Sequence, residues 1–144
     1  MDLEKARTTL FAQLRSVPDT EDISLAQALG RVTAEPIHAQ LSLPPFPASA
    51  MDGYAVRRED FDAAKPLRLI GQSLAGHPFY GTVTTGDCVR IFTGAVVPEG
   101  ADLIVLQERL AESAFGSDGS EMVHFKEHEP DEAFIRSVGN DVEQ

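Results

Sequence analysis

Val89-Arg90-Ile91-Phe92-Thr93-Gly94-Ala95-Val96-Val97-Pro98-Glu99-Gly100-Ala101-Asp102 decides how this chain folds. An apolar strand ends in Thr-Gly-Ala, and a Pro-Glu-Gly turn then feeds the next strand. The same texture extends in both directions. Tyr54–Val56, Leu67–Ser73, Cys88–Phe92, Leu103–Gln107, Met122–Lys126 and Phe134–Arg136 read as short strands. Gly71, Gly76, Gly81, Gly86-Asp87 and Gly116-Ser117-Asp118-Gly119 supply turns between them, with Asp118-Gly119 at a hairpin tip. Upstream, Ile37, Ala39, Leu41 and Leu43 alternate with His38, Gln40 and Ser42, the pattern of a half-buried strand.

The N-terminus reads differently. Leu3, Ala6, Leu10, Phe11 and Leu14 fall at three- and four-residue spacings, an apolar stripe on a helix from about Asp2 to Arg15. Asp2 caps it and Pro18 stops it. A short second helix follows, with Ser24 and Gln27 as a capping box and Gly30 at its end. The expected class is α+β: a helical arm and linking strand over residues 1–43, then a mostly β compact domain over 44–144. The arm either packs back or meets a partner chain as a symmetric dimer.

The 144 residues carry 12 Lys plus Arg against 23 Asp plus Glu, a formal net charge of -11. Residues 99–144 hold 12 of those acids and only three bases, Arg109, Lys126 and Arg136. This excess argues against nucleic acid and against anionic membrane as partners, because both need clustered cations. The single cysteine, Cys88, forms no internal disulfide and fits a reducing compartment. No apolar run reaches membrane-spanning length and Met1–Lys5 is not a signal peptide, so a cytoplasmic protein is expected.

Three segments invite a chemical reading. Leu43-Pro44-Pro45-Phe46-Pro47 is a stiffened approach that delivers Ser49, Asp52 and Gly53 within five residues. Its carboxylate can orient water, a hydroxyl or a cation-bound phosphate, and the same residues also read as an Asp-Gly turn opening a strand. In Thr93-Gly94-Ala95, Gly94 can turn backbone N–H groups toward an anion and Thr93 can add a hydroxyl, or the segment is a plain crossover. Arg136, in Ile135-Arg136-Ser137-Val138-Gly139-Asn140-Asp141, can grip a phosphate or join a surface ion pair. Gly71-Gln72-Ser73-Leu74-Ala75-Gly76 lacks the Lys and Ser/Thr of a phosphate loop and reads as a turn after a strand. His124 and His128 stand about 13 Å apart if both lie on a strand, which disfavours a shared metal.

Taken in order, these motifs are identified with a family. Pro44-Pro45-Phe46-Pro47-Ala48-Ser49-Ala50-Met51-Asp52-Gly53-Tyr54-Ala55-Val56 resembles the signature of the molybdopterin molybdenumtransferases (MoeA and the E domain of gephyrin). Arg90 to Asp102 is similar to the family's R-I-x-T-G-A-x-x-P-x-G-A-D, and Val105-Leu106-Gln107-Glu108 and Ile135 to Asp141 follow in its order. The resemblance runs from about Ser24 to Asp141.

It implies a homodimeric enzyme that inserts molybdenum from molybdate into adenylylated molybdopterin, with magnesium and release of AMP. A molybdopterin adenylyltransferase is then the pathway partner. Carried over by motif, Asp52, Thr93 and Asp141 are the expected catalytic residues. Ser49, Gly53, Gly94 and Arg136 are the expected substrate-binding residues, and the metal site lies mostly outside this chain. Pro47-Ala48 stands where many relatives have Asp-Asn, as in the gephyrin-like branch, and Asn140 replaces an acidic or histidine residue. The family's pterin-binding α/β domain and C-terminal β domain lie beyond residue 144, so the isolated chain is expected not to catalyse the transfer. A non-catalytic scaffold of gephyrin type is the competing reading.

Overall fold

In a computed structural model of the chain, residues 2–14, 19–62, 65–126 and 132–144 are described. The chain divides into two units, Met1–Ile37 and His38–Gln144.

In the first unit α1 spans Leu3–Gln13, and the Asp2 carboxylate accepts the Glu4 N–H, as a cap should. The expected stop at Pro18 lies outside the described residues. The second helix shrinks to a single 3-10 turn, Leu25–Gln27. The Ser24 hydroxyl donates to the Gln27 side chain at 3.0 Å instead of accepting a backbone N–H, so the capping box does not form. One turn with no cap cannot propagate a helix. Among the described residues of this unit none is buried.

The second unit is built on a six-stranded mixed sheet. Its strands are β2 (Gly53–Val56), β3 (Leu67–Ser73), β4 (Asp87–Ile91), β5 (Leu103–Leu106), β6 (Leu110–Phe115) and β7 (Glu121–Phe125). They lie in the order β5-β2-β4-β3-β7-β6, with β3 and β4 parallel and the other pairs antiparallel. A two-residue strand β1 (Ala48–Ser49) pairs with β8 (Ile135–Arg136), and helix α2 (Arg58–Asp62) follows β2.

The central strands are apolar on both faces, so alternate residues feed two cores. Tyr54, Val56, Cys88, Leu103 and Val105 join Val123 and Phe125 on one face. Ala55, Val89, Ile91 and Ile104 join Val83 and Ala95 on the other. The one buried carboxylate among the described residues, Asp87, is fully engaged: Arg68 donates twice to Oδ1 and Thr84 once to Oδ2.

The expected strand Ile37–Leu43 does not form. Ile37 and Leu41 are exposed, and only Leu43 makes an isolated bridge, to Val142. Alternation marks which side chains would share a face, but a strand also needs a partner backbone. Pro36 and Pro44 remove donors at both ends of this segment. Strands β1 and β6 and helix α2 are additions to the sequence reading. Strand β6 is exposed along most of its length and so carries little apolar signal. The Asp118-Gly119 turn does close the β6–β7 hairpin, with Gly116 N–H donating to Ser120 O at 2.8 Å.

Candidate functional site

The three motifs meet along the proline-rich segment. On one side Ser49 N–H donates to Ala95 O, Gly94 N–H to Ser49 O and Val97 N–H to Pro47 O, all within 2.8–2.9 Å. On the other side Ala48 and Ser49 register with Arg136 and Ile135, and Ala50 N–H donates to Phe134 O. Further back, Gly139 N–H donates to Pro44 O, and Leu43 exchanges hydrogen bonds with Val142. Prolines 44, 45 and 47 have no N–H to satisfy, so this segment can be gripped mainly through its carbonyls.

Past β1 the chain turns and presents Asp52. Asp52 Oδ1 accepts the Thr93 backbone N–H and the Thr93 hydroxyl, both at 2.8 Å. These two donors, the backbone one first, hold the Asp52 carboxyl below its ordinary value. Oδ2 takes no hydrogen bond from the described residues. The result is an ionised carboxylate with one oxygen fixed and the other free to accept a proton donor or meet a cation.

Two of the expected residues spend their polar groups within the fold. Ser49 is 0% exposed, and its hydroxyl donates to Met51 O at 2.6 Å, so it builds the turn and presents no free hydroxyl to a ligand. Gly94 does not open an anion nest. The N–H groups of Thr93, Gly94 and Ala95 go to Asp52 Oδ1, Ser49 O and Phe92 O. Gly94 is required instead by its left-handed backbone, φ +80°. Gly53 is a packing position: a Cβ there would sit 2.1 Å from Val105 O across the β2–β5 pairing.

Arg136 and Asp141 form an exposed ion pair with each other, and the Arg136 hydrogen bond holds the Asp141 carboxyl low. Asp141 N–H also donates to Leu43 O, which fixes this loop to the proline-rich segment. Among the described residues no hydrogen bond or ion pair links this pair to Asp52 and Thr93. The first pair therefore forms one chemical unit and the second another, joined by the backbone of residues 48–52. His124 lies on β7 opposite Glu112, and His128 lies outside the described residues. Among the described residues no group of three His, Cys, Asp or Glu side chains is placed to hold a metal. A surface hollow lined by Asp19, Glu21, Ile23, Arg31 and Val32 belongs to the first unit and contains none of the motif residues.

Sequence reading passed over Arg90 and Gln107 as individual residues. Arg90 Nη1 donates to Gly53 O at 2.7 Å and Nη2 to Gln107 Oε1 at 2.5 Å. The available signal was a lone cation in an apolar strand between the fully buried Val89 and Ile91.

Comparisons with known proteins agree with this arrangement of motifs. The family model described as the MoeA N-terminal region (domain I and II) matches residues 1–144. The chain is 37% identical over 144 residues to a molybdopterin molybdenumtransferase of Haemophilus influenzae, covering 100% of this chain and 34% of that protein. It is 43% identical over 105 residues to a Nostoc protein of the same name, covering 69% of this chain and 24% of that one. The crystal structure of a molybdopterin biosynthesis moeA protein from Pyrococcus horikoshii OT3 superposes with a TM-score of 0.73 at 32% identity, over 98% of this chain and 37% of that one. The chain thus spans about a third or less of the length of the curated relatives it matches. With a mixed helix and strand fold, mostly sheet, and a family match over its whole length, this chain belongs to the MoeA N-terminal region family.

Proposed function

We propose that this chain serves molybdenum cofactor biosynthesis as the N-terminal part of an enzyme that inserts molybdenum from molybdate into adenylylated molybdopterin, releasing AMP. The observation that carries this is the Asp52–Thr93 unit. It is a carboxylate kept ionised by two donors, with one oxygen free, at the junction of the family's motifs. Splitting the phosphoanhydride of the adenylylated substrate calls for an oriented water. Asp52 Oδ2 is the acceptor this chain offers for it. Magnesium is implied by the family, but the described residues supply single carboxylates and no grouped ligand set. Its site would need groups from elsewhere in the longer protein.

The test is a chimera in which this chain replaces the corresponding third of the Haemophilus influenzae relative. Asp52→Asn in that chimera is expected to lower activity by about a hundredfold or more, the scale of a positioned acid–base group. Full activity in Asp52→Asn would remove Asp52 from the site. The 144 residues alone are proposed to be inactive, since they span about a third of the relatives' length. Turnover by the isolated chain overturns this.

The remaining readings follow from the same family. A homodimer is supported by the apolar side chains exposed in the first unit, Leu10, Phe11, Leu25 and Leu29 among them. A single monomeric species in sedimentation of the chimera overturns it. The supplier of substrate is an adenylyltransferase acting on molybdopterin, and the place of action is the cytoplasm. No described helix is long and apolar enough to cross a membrane. Fractionation and coupled turnover with that transferase test these two readings.

A further inference from the structure

Arg90 is a cation inside a strand whose neighbours are core residues. Its guanidinium carbon lies 5.0 Å from the centre of the Tyr54 ring and 4.7 Å from that of Phe92. The two rings fix the plane of the fork and restrict its swing. In that plane it donates to Gly53 O on β2 and to the Gln107 side chain just past β5. Gln107 N–H in turn donates to Asp52 O at 3.2 Å. Thus the Asp52 and Gly53 carbonyls are both tied, through Gln107 and directly, to one side chain. Three residues further along the same segment, Thr93 holds the Asp52 carboxylate itself.

We infer that Arg90 is a positioning residue for Asp52: it clamps the 52–53 main chain so that the carboxylate stays docked on Thr93 with Oδ2 presented. This rests on the reading of Asp52 as the carboxylate of the site. A lysine cannot replace the clamp, because one ammonium cannot present two parallel donors between two rings. The Arg90 charge also acts on Asp52 in the direction that favours ionisation, though less than the Thr93 hydrogen bonds do.

The test uses the 144-residue chain labelled with ¹³C and ¹⁵N. The Asp52 carboxyl carbon is followed through an acid titration, and the Gln107 and Thr93 amides through hydrogen exchange. Arg90→Met is expected to raise the Asp52 midpoint. It should also cut protection of the Gln107 amide by about tenfold, the scale of losing a charge-assisted hydrogen bond. The β3 and β7 amides should stay protected. Arg90→Lys should restore the midpoint in part and leave Gln107 unprotected. An unchanged Asp52 midpoint and unchanged Gln107 protection in folded Arg90→Met overturn the inference. If Arg90→Met does not fold, Gln107→Leu removes one arm of the clamp and leaves the sheet in place. It should lower Thr93 amide protection, and no change overturns the inference. Asp52→Asn in the chimera tests the functional reading separately. If activity survives there, that reading falls, and the titration and exchange still decide whether Arg90 positions Asp52.

Discussion

Leu29 in the first unit and Ile104 in the second are both aliphatic residues within apolar stretches. Leu29 is 97% exposed and Ile104 is 0% exposed. The same holds for their neighbours: Leu25 and Val32 stand in solvent, while Leu103 and Val105 are buried in the core on the sheet face opposite to that of Ile104. The difference is not one of hydrophobicity. In the second unit the apolar strands β2, β4 and β5 lie side by side at hydrogen-bonding distance, and both of their faces are covered. Among the described residues of the first unit, one helix and one 3-10 turn offer no second layer of their own. An apolar pattern specifies which residues seek burial, and topology decides whether the same unit supplies it.

The largest expected effect tests this contrast directly. Ile104→Ala deletes a fully buried side chain and should cost about 3 kcal/mol of stability, read as a lower urea midpoint at unchanged slope. A cost below about 1 kcal/mol would show that the core has relaxed into the space and is not closely packed. Next in size is Gly53→Ala. Its Cβ would collide with the Val105 carbonyl, and backbone cannot swing aside as a side chain can. A loss of about 2 kcal/mol is expected, with disturbed amide signals confined to β2 and β5. If Gly53→Ala is neutral in the unfolding titration, the β2–β5 approach is loose enough to admit a Cβ beside the Val105 carbonyl.

Much of the second unit was legible because β strands with buried faces announce themselves. Leu67–Ser73 and Leu103–Leu106 fall where the apolar runs and flanking turns place them. Ile37–Leu43 misled because its alternation is as regular as that of a true strand, while the missing partner and the flanking prolines act at the level of pairing. Strand β6 was overlooked for the opposite reason: Glu112, Ser113 and Ala114 are strand residues only because β7 lies beside them. At the site, motif order brought out Asp52 and Thr93, whose contact spans 41 positions. It gave no warning that the Ser49 hydroxyl and the Gly94 N–H are consumed within the fold. Hydrogen-bond satisfaction depends on which backbone groups meet, and sequence lists the groups without the meetings.

The next effect is electrostatic and smaller. Asp52 and Asp141 both have carboxyls lowered by native partners, Thr93 and Arg136 respectively. Groups lowered on folding contribute stability above the unfolded carboxylate value, and lose it as pH falls through their lower folded values. The unfolding midpoint should therefore decline as pH drops below about 4, the ordinary carboxylate range. Thr93→Val removes the hydroxyl bond and keeps the backbone one, which is the larger cause. The Asp52 midpoint should rise only part of the way to its ordinary value, and the acid decline should become shallower. A full return would assign the lowering to the hydroxyl alone. Arg136→Gln should do the same for Asp141 and leave Asp52 where it is, because no hydrogen bond or ion pair joins the two pairs among the described residues.

The smallest expected effect bears on the first unit. Leu29→Ala removes as much aliphatic surface as many core truncations, yet in the folded monomer that surface is already in water. The transfer free energy is then the same before and after unfolding, and the change in stability should stay within about 0.5 kcal/mol. Protein concentration turns this near-zero result into a sharper test. If Leu29 is covered by a second copy of the chain, its truncation remains neutral in dilute samples and becomes destabilising as concentration rises, since only the associated state loses a buried side chain. Neutrality at every concentration would mean that Leu29 is solvated in all states, and the apolar residues around it would no longer argue for a partner. A cost of about 3 kcal/mol in dilute monomer, equal to that of Ile104→Ala, would mean that the first unit buries Leu29 unaided, and the contrast between the two units would collapse.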